Sequence, residues 1–194
     1  MKKRVDLPEK KYEGYIFDLD GTLVDSMPLH YRAWREALAR AGAPDHVFRA
    51  DEFYSCGGKS ANDVVRFLNE RYGMHMDAAS TAADKRRIYL EMLEKEGMQP
   101  IREVVEFVHS LGDAPKAIAT GSAMPGASRT LAAAGLSGLF DVILTPDEVE
   151  HGKPAPDMFL KAAELLGVSP DRCVVFEDAE PGMKAAAAAG MDCV

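Results

Sequence analysis

The chain has 194 residues, 47% of them hydrophobic and 28% charged, with a formal net charge of −8. This composition excludes a disordered polypeptide, and without an apolar run of membrane-spanning length it implies neither a membrane span nor an anchor. The acidic balance argues against nonspecific nucleic-acid binding, so an anionic ligand must be met by local cations. Three scattered cysteines, Cys56, Cys173 and Cys193, suit reduced and mostly buried thiols, not a disulfide framework or a zinc site. Met1-Lys2-Lys3-Arg4 is basic, but Asp6, Pro8 and Glu9 follow in place of an apolar signal core, and a cytoplasmic monomer is expected.

The first predicted strand is the apolar run at Tyr15-Ile16-Phe17, followed by Asp18-Leu19-Asp20-Gly21-Thr22. Strand side chains alternate faces, so Asp18 and Asp20 leave the strand end on the same side, and Gly21 lets the backbone turn sharply. Two carboxylates that close repel each other unless a cation joins them, and a divalent ion with oxygen ligands is the expected partner. Helical spacing then predicts helices over 28–42, 60–72 and 81–96, with Leu29, Trp34, Ala37 and Leu38 on the inner face of the first. Trp34 is expected to pack between this helical segment and the rest of the chain rather than to touch a ligand, and Met74-His75-Met76 is read as an ordinary helix end. His46, His109 and His151 receive no role.

From Lys116 onward, short apolar runs alternate with helical segments: Ala117-Ile118-Ala119, Val142-Ile143-Leu144 and Cys173-Val174-Val175-Phe176. That alternation predicts right-handed crossovers and a doubly wound parallel α/β sheet with ligands at the carboxyl ends of its strands. Residues 1–26 and 98–194 are therefore expected to form one discontinuous α/β core. The helical stretch 27–97 is an insertion, expected to cap the strand ends. Pro100-Ile101 at the return is expected to make a stiff hinge. The sheet is expected to be thin at its last strand, because the chain stops at Val194 soon after the alanine run Ala185 to Ala189.

Polar residues follow each apolar run. Thr120-Gly121-Ser122 offers a hydroxyl and open backbone N–H groups to an anion, and Lys153, in the proline-stiffened Gly152-Lys153-Pro154, can pair with an oxyanion. Glu177 and Asp178 end the last buried run with two adjacent acids, where metal sites occur in parallel sheets.

These four segments, in this order, resemble the motifs of the haloacid dehalogenase superfamily of phosphohydrolases. Asp178-Ala179-Glu180-Pro181-Gly182-Met183, His30-Tyr31-Arg32-Ala33-Trp34 and the Lys85/Tyr89 pair are similar to its sugar-phosphatase and β-phosphoglucomutase subgroup, which carries a small helical cap. The resemblance implies that Asp18 is the nucleophile that forms an aspartyl-phosphate, and that Asp20 is the acid and base. It implies Mg²⁺ held by Asp18, Asp178 and the Asp20 backbone carbonyl, with Glu177 supporting directly or through water. Thr120 and Lys153 would hold the phosphoryl oxygens, and Gly121, Ser122, His30, Lys85 and Lys59 would bind substrate.

The partner implied is a small phosphorylated metabolite. Dehalogenation and phosphonate cleavage are disfavoured, because Asp20 is present in the position those reactions do without. Between a sugar phosphatase and a β-phosphoglucomutase, the stretch Ser55 to Asp63 has no arginine to grip a second phosphate. Lys59 supplies charge there but no bidentate fork, which favours the phosphatase. A catalytically silent phosphate-binding or partner-binding relative is the third alternative.

Overall fold

The computed structural model describes residues 7–57 and 59–194, so the basic N-terminal run, with the reading placed on it, lies outside the described residues. In chain order the elements are β1 (Gly14–Phe17), α1 (Met27–Arg40), α2 (Ala50–Ser55), α3 (Ala61–Tyr72), α4 (Ala78–Glu96) and α5 (Arg102–Ser110). β2 (Lys116–Ala119), α6 (Met124–Ala133), β3 (Val142–Leu144), α7 (Asp157–Leu166), β4 (Cys173–Phe176), α8 (Glu180–Ala188) and β5 (Asp192–Cys193) follow. They separate into two compact units. One holds the chain up to Asp25 together with Met98–Val194, and the other holds Ser26–Gly97.

The first unit is the expected α/β fold, a five-stranded parallel sheet in the order β3-β2-β1-β4-β5. β1 is central, with Phe17 level with Ile118 on one side and Phe176 on the other. β2 and β4 are buried along their whole length, which explains the apolar runs Ala117-Ile118-Ala119 and Cys173–Phe176: a parallel strand covered on both faces has no solvent side to make polar, and Lys116 at the start of β2 donates from Nζ to the Gly112 and Ala114 carbonyls. Ile16, Ala117, Ala119 and Val175 share a core cluster with Met158, Phe159, Ala162 and Ala163 of α7 and with Ala185 and Ala186 of α8. The next residues along the strands turn to the other face. There Phe17 stacks on Phe176 with ring centroids 4.4 Å apart, and Phe107 of α5 and Phe140 pack on the pair.

The chain leaves and re-enters this unit through two adjacent segments. Asp25 donates its N–H to the carbonyl of Gln99 at 3.0 Å and Ile101 donates to Leu23 at 2.8 Å, with Val24 bridged antiparallel to Pro100.

The second unit is helical. Trp34, Leu38, Phe48, Phe53, Val65 and Leu68 are buried in one cluster, with the Trp34 and Phe48 rings edge to face at 5.6 Å. Trp34 thus lies in the helical unit's own core. Ser60 caps α3 by accepting the Asp63 N–H, and Asp77 caps α4 by accepting that of Ser80. α2, only six residues long, has too few turns to declare a period and was not anticipated.

One expectation needs correction. Met74-His75-Met76 is not a helix end: Gly73 closes α3 in the left-handed region, φ 63°, and the three residues form the link to α4. Asn69 holds that link, donating from Nδ2 to the Met76 carbonyl at 2.8 Å and accepting the Met76 N–H at 3.0 Å. Among the described residues no helix is long and apolar enough to cross a membrane.

Candidate active site

The ladder carries each site residue one step past its strand. Asp18 donates its N–H to the Phe176 carbonyl at 2.9 Å, Thr120 donates to that of Leu144 at 3.0 Å, and Glu177 to that of Val194 at 3.1 Å. Because all the strands are parallel, these residues emerge at one end of the sheet, where backbone hydrogen bonding stops and side chains take over.

Lys153 arrives from the connection between β3 and α7. Its Nζ donates to Asp18 Oδ1 and to Glu177 Oε2, each at 2.6 Å, with all three side chains at least 92% covered. Burial opposes the ammonium charge, but Asp18 and Glu177 outweigh it and hold the Lys153 pKa above its ordinary value. Asp18 is pushed up to about 8, first by burial and then by the charges of Glu177 and Asp20, against the pull of Lys153. Burial also raises Asp178, opposed by a hydrogen bond from the Thr22 hydroxyl, which donates to Oδ1 at 3.0 Å.

Carboxylate oxygens of Asp18, Glu177 and Asp178 lie within 4.8 Å of one another. With Asp20 beside them, four acids share one lysine, a surplus of negative charge that a hard divalent cation would neutralise. The donor set therefore fits Mg²⁺. The backbone fits too: Gly21 sits at φ 99°, and a Cβ there would come within 2.3 Å of Asp178 Oδ2. The three-acid group does not include the Asp20 carboxyl group.

Asp20 is held from β2. The Ser122 hydroxyl donates to Asp20 Oδ2 at 2.6 Å, while the Ser122 N–H donates to Thr120 Oγ1 at 3.0 Å. Thr120 is fully buried, and its hydroxyl anchors the turn. Gly121 is exposed, with open space where a Cβ would stand.

His30, Lys85 and Lys59 belong to the helical unit. His30 is buried and stacks on Tyr89 at 4.0 Å, with Lys85 Nζ 2.9 Å from its Nδ1 and over the Trp34 and Tyr89 rings. Lys59 lies over the Phe67 ring at 5.6 Å.

Two residues escaped the sequence reading. Thr22 orients Asp178, and a hydroxyl two positions after Asp20 was the available signal. Gly182, in the first turn of α8, gives Glu177 its room: a Cβ there would fall 2.1 Å from Glu177 Cδ. A glycine in a helix costs about 1 kcal/mol relative to alanine, so its presence signalled a close approach.

Residues 12–190 match the family described as a haloacid dehalogenase-like hydrolase. The fructose-1-phosphate phosphatase YqaB of Escherichia coli (strain K12) is 38% identical over 186 residues, covering 95% of this chain and 96% of that protein. A β-phosphoglucomutase of Mycobacterium tuberculosis (strain CDC 1551 / Oshkosh) is 35% identical over 205 residues, covering 92% and 78% respectively. The crystal structure of CbbY from Rhodobacter sphaeroides in complex with phosphate matches with a TM-score of 0.81 and 27% identity, over 94% of this chain and 84% of that one. The family match spans residues 12–190 and the relatives cover nearly the whole chain, and the chain belongs to the haloacid dehalogenase-like hydrolase family.

Proposed function

We propose that this hydrolase is a Mg²⁺-dependent phosphatase of small cytoplasmic sugar phosphates, working through an aspartyl-phosphate on Asp18. The observation that carries the reading is the buried Asp18–Lys153–Glu177 group at the end of the central strand. A carboxylate gripped by an ammonium and backed by a second acid is aimed and desolvated, as a nucleophile for phosphorus must be.

In the first step an Asp18 oxygen forms a bond to phosphorus while the bond from phosphorus to the sugar oxygen breaks. Asp20, in its acid form, gives its proton to the departing oxygen. In the second step Asp20, now a base, takes a proton from water as the water oxygen bonds to phosphorus and Asp18 is released. Lys153 balances charge on the phosphoryl oxygens, and Glu177 keeps Lys153 in place. Thr120 and Gly121 line the phosphoryl group's side of the strand-end turn. Asp18, Asp178 and the Asp20 carbonyl would hold Mg²⁺, with Glu177 in support, and the ion supplies charge neutralisation for the phosphoryl oxygens. His30 and Lys85 are assigned to substrate recognition, with Lys59 a further cation for it.

Similarity to a fructose-1-phosphate phosphatase over 95% of the chain supports a sugar phosphate as substrate, and the absence of arginine from Ser55 to Asp63 supports water as the acceptor. The test is a panel of sugar phosphates with Mg²⁺, including fructose 1-phosphate and β-glucose 1-phosphate. Release of inorganic phosphate from at least one ester, abolished by Asp18→Asn, is the expected result. Conversion of β-glucose 1-phosphate to glucose 6-phosphate without phosphate release would overturn it in favour of a mutase. Failure of every ester would favour a silent relative.

A further inference from the structure

We propose that Ser122 is a positioning residue for the proton-transfer step, acting through Asp20 and not principally through the phosphoryl group. The inference rests on the phosphatase reading above and adds to it the residue that aims the acid. Its basis is a chain of bonds running from the sheet to one carboxyl group. Thr120 is fixed by the ladder to Leu144 and is fully buried; its hydroxyl accepts the Ser122 N–H at 3.0 Å, and the Ser122 hydroxyl donates to Asp20 Oδ2 at 2.6 Å.

Asp20 stands two residues beyond the Asp18 bond to Phe176, at a turn where the Gly21 N–H donates to the Val24 carbonyl at 2.9 Å. Backbone there sets the Cα, but a carboxyl group still rotates about its last side-chain bond, a broad and roughly two-fold torsion. A short hydrogen bond from a hydroxyl whose own backbone is held by a buried threonine removes that freedom. Asp18, by contrast, takes its orientation from Lys153, and Asp178 takes its own from Thr22. Ser122 thus donates to Asp20 as Lys153 does to Asp18 and Thr22 to Asp178.

A hydroxyl that serves Asp20 matters in proportion to how much the leaving oxygen needs a proton. A sugar alkoxide is a poor leaving group and needs one, whereas p-nitrophenolate departs without it. The parameter kcat/KM reports the steps through cleavage of the ester bond, before the common dephosphorylation of Asp18. The experiment compares kcat/KM for a sugar phosphate and for p-nitrophenyl phosphate on the same preparations of the parent, Ser122→Ala and Ser122→Thr. The ratio of the two values is independent of how much of each preparation is folded.

Ser122→Ala is expected to lower the sugar-phosphate value about 30-fold or more, and to lower the sugar-to-aryl ratio about tenfold, within the range of general-acid effects. Ser122→Thr, which keeps the hydroxyl, is expected to recover most of the ratio. Equal losses with both esters would overturn the assignment and leave the phosphatase standing, since a contact to the phosphoryl group serves both substrates alike. Hydrolysis of neither ester by the parent would overturn the phosphatase reading and this assignment with it.

Discussion

The two units differ in where they bury charge. Both carry exposed ion pairs, such as Arg87 with Asp84 and Glu91 in the helical unit and Lys161 with Glu164 in the α/β unit, and the helical unit's main core cluster is aromatic and aliphatic. In the α/β unit, Lys153, Asp18 and Glu177 form a charged group almost sealed from water. Exposed pairs gain little because water screens them, while a buried pair must offset a desolvation cost of several kcal/mol per ion. A fold seeking stability alone would fill the strand end with apolar side chains. The contrast marks the cluster as retained for chemistry.

Removing its cation should break that contrast most severely. Lys153→Met keeps the volume but leaves Asp18 and Glu177 facing each other, and it should lower the unfolding free energy by about 3–5 kcal/mol. Phosphatase activity should fall at least about 10³-fold, since an electrostatic contact to the reacting group is lost. Urea unfolding and steady-state kinetics measure both. A variant as stable as the parent, with kcat within tenfold, would make the cluster an ordinary ion pair.

Leu68→Ala tests the other interior. Leu68 is fully buried in the helical unit's cluster, and its truncation should cost about 2–5 kcal/mol, seen as a lower urea midpoint for that unit. A loss under about 0.5 kcal/mol would mean the aromatic interior is loosely packed.

Gly182→Ala sharpens the comparison, because it adds one methyl to the support of the buried cluster. The new Cβ meets Glu177 Cδ at 2.1 Å, so Glu177 must move and loosen its hold on Lys153. A kcat loss of about 10- to 100-fold is expected from a residue with no functional group, beside an overpacking cost to stability of about 1–3 kcal/mol. Unchanged kcat would show that Glu177 is not needed where it stands.

Arg87→Ala should do least. It removes two exposed ion pairs, and neither the unfolding midpoint nor kcat is expected to move beyond measurement error. A clear loss of stability would mean that surface pairs hold the helical unit after all.

Much of this could be read in the sequence, for physical reasons that differ between the regions. Strands buried on both faces leave apolar runs, so β2 and β4 were visible, and the short apolar runs of β1 and β3 stood out beside them. Parallel strands release their next residues at one end, so Asp18, Thr120 and Glu177 could be placed together without coordinates. What could not be read was pairing. That Lys153 would meet both Asp18 and Glu177 depends on β4 lying beside β1, and that Ser122 would meet Asp20 depends on β2 lying on the other side. The partner in the close approach at Gly182 was also hidden: nothing in Glu180-Pro181-Gly182 states that Glu177 fills the space beside the glycine. In the helical unit, α2 has too few turns to show a period, and the left-handed Gly73 turned an expected helix end into a linker.

If an Asp18 oxygen bonds to phosphorus, trapping the enzyme during turnover catches the phosphoryl group there. The parent, mixed with a hydrolysed sugar phosphate and Mg²⁺ and quenched in acid, should carry a phosphoryl group on the peptide containing Asp18, removable by hydroxylamine and absent from Asp18→Asn. Steady turnover with no phosphoryl group on that peptide, or an Asp18→Asn enzyme that still releases phosphate, would contradict the account.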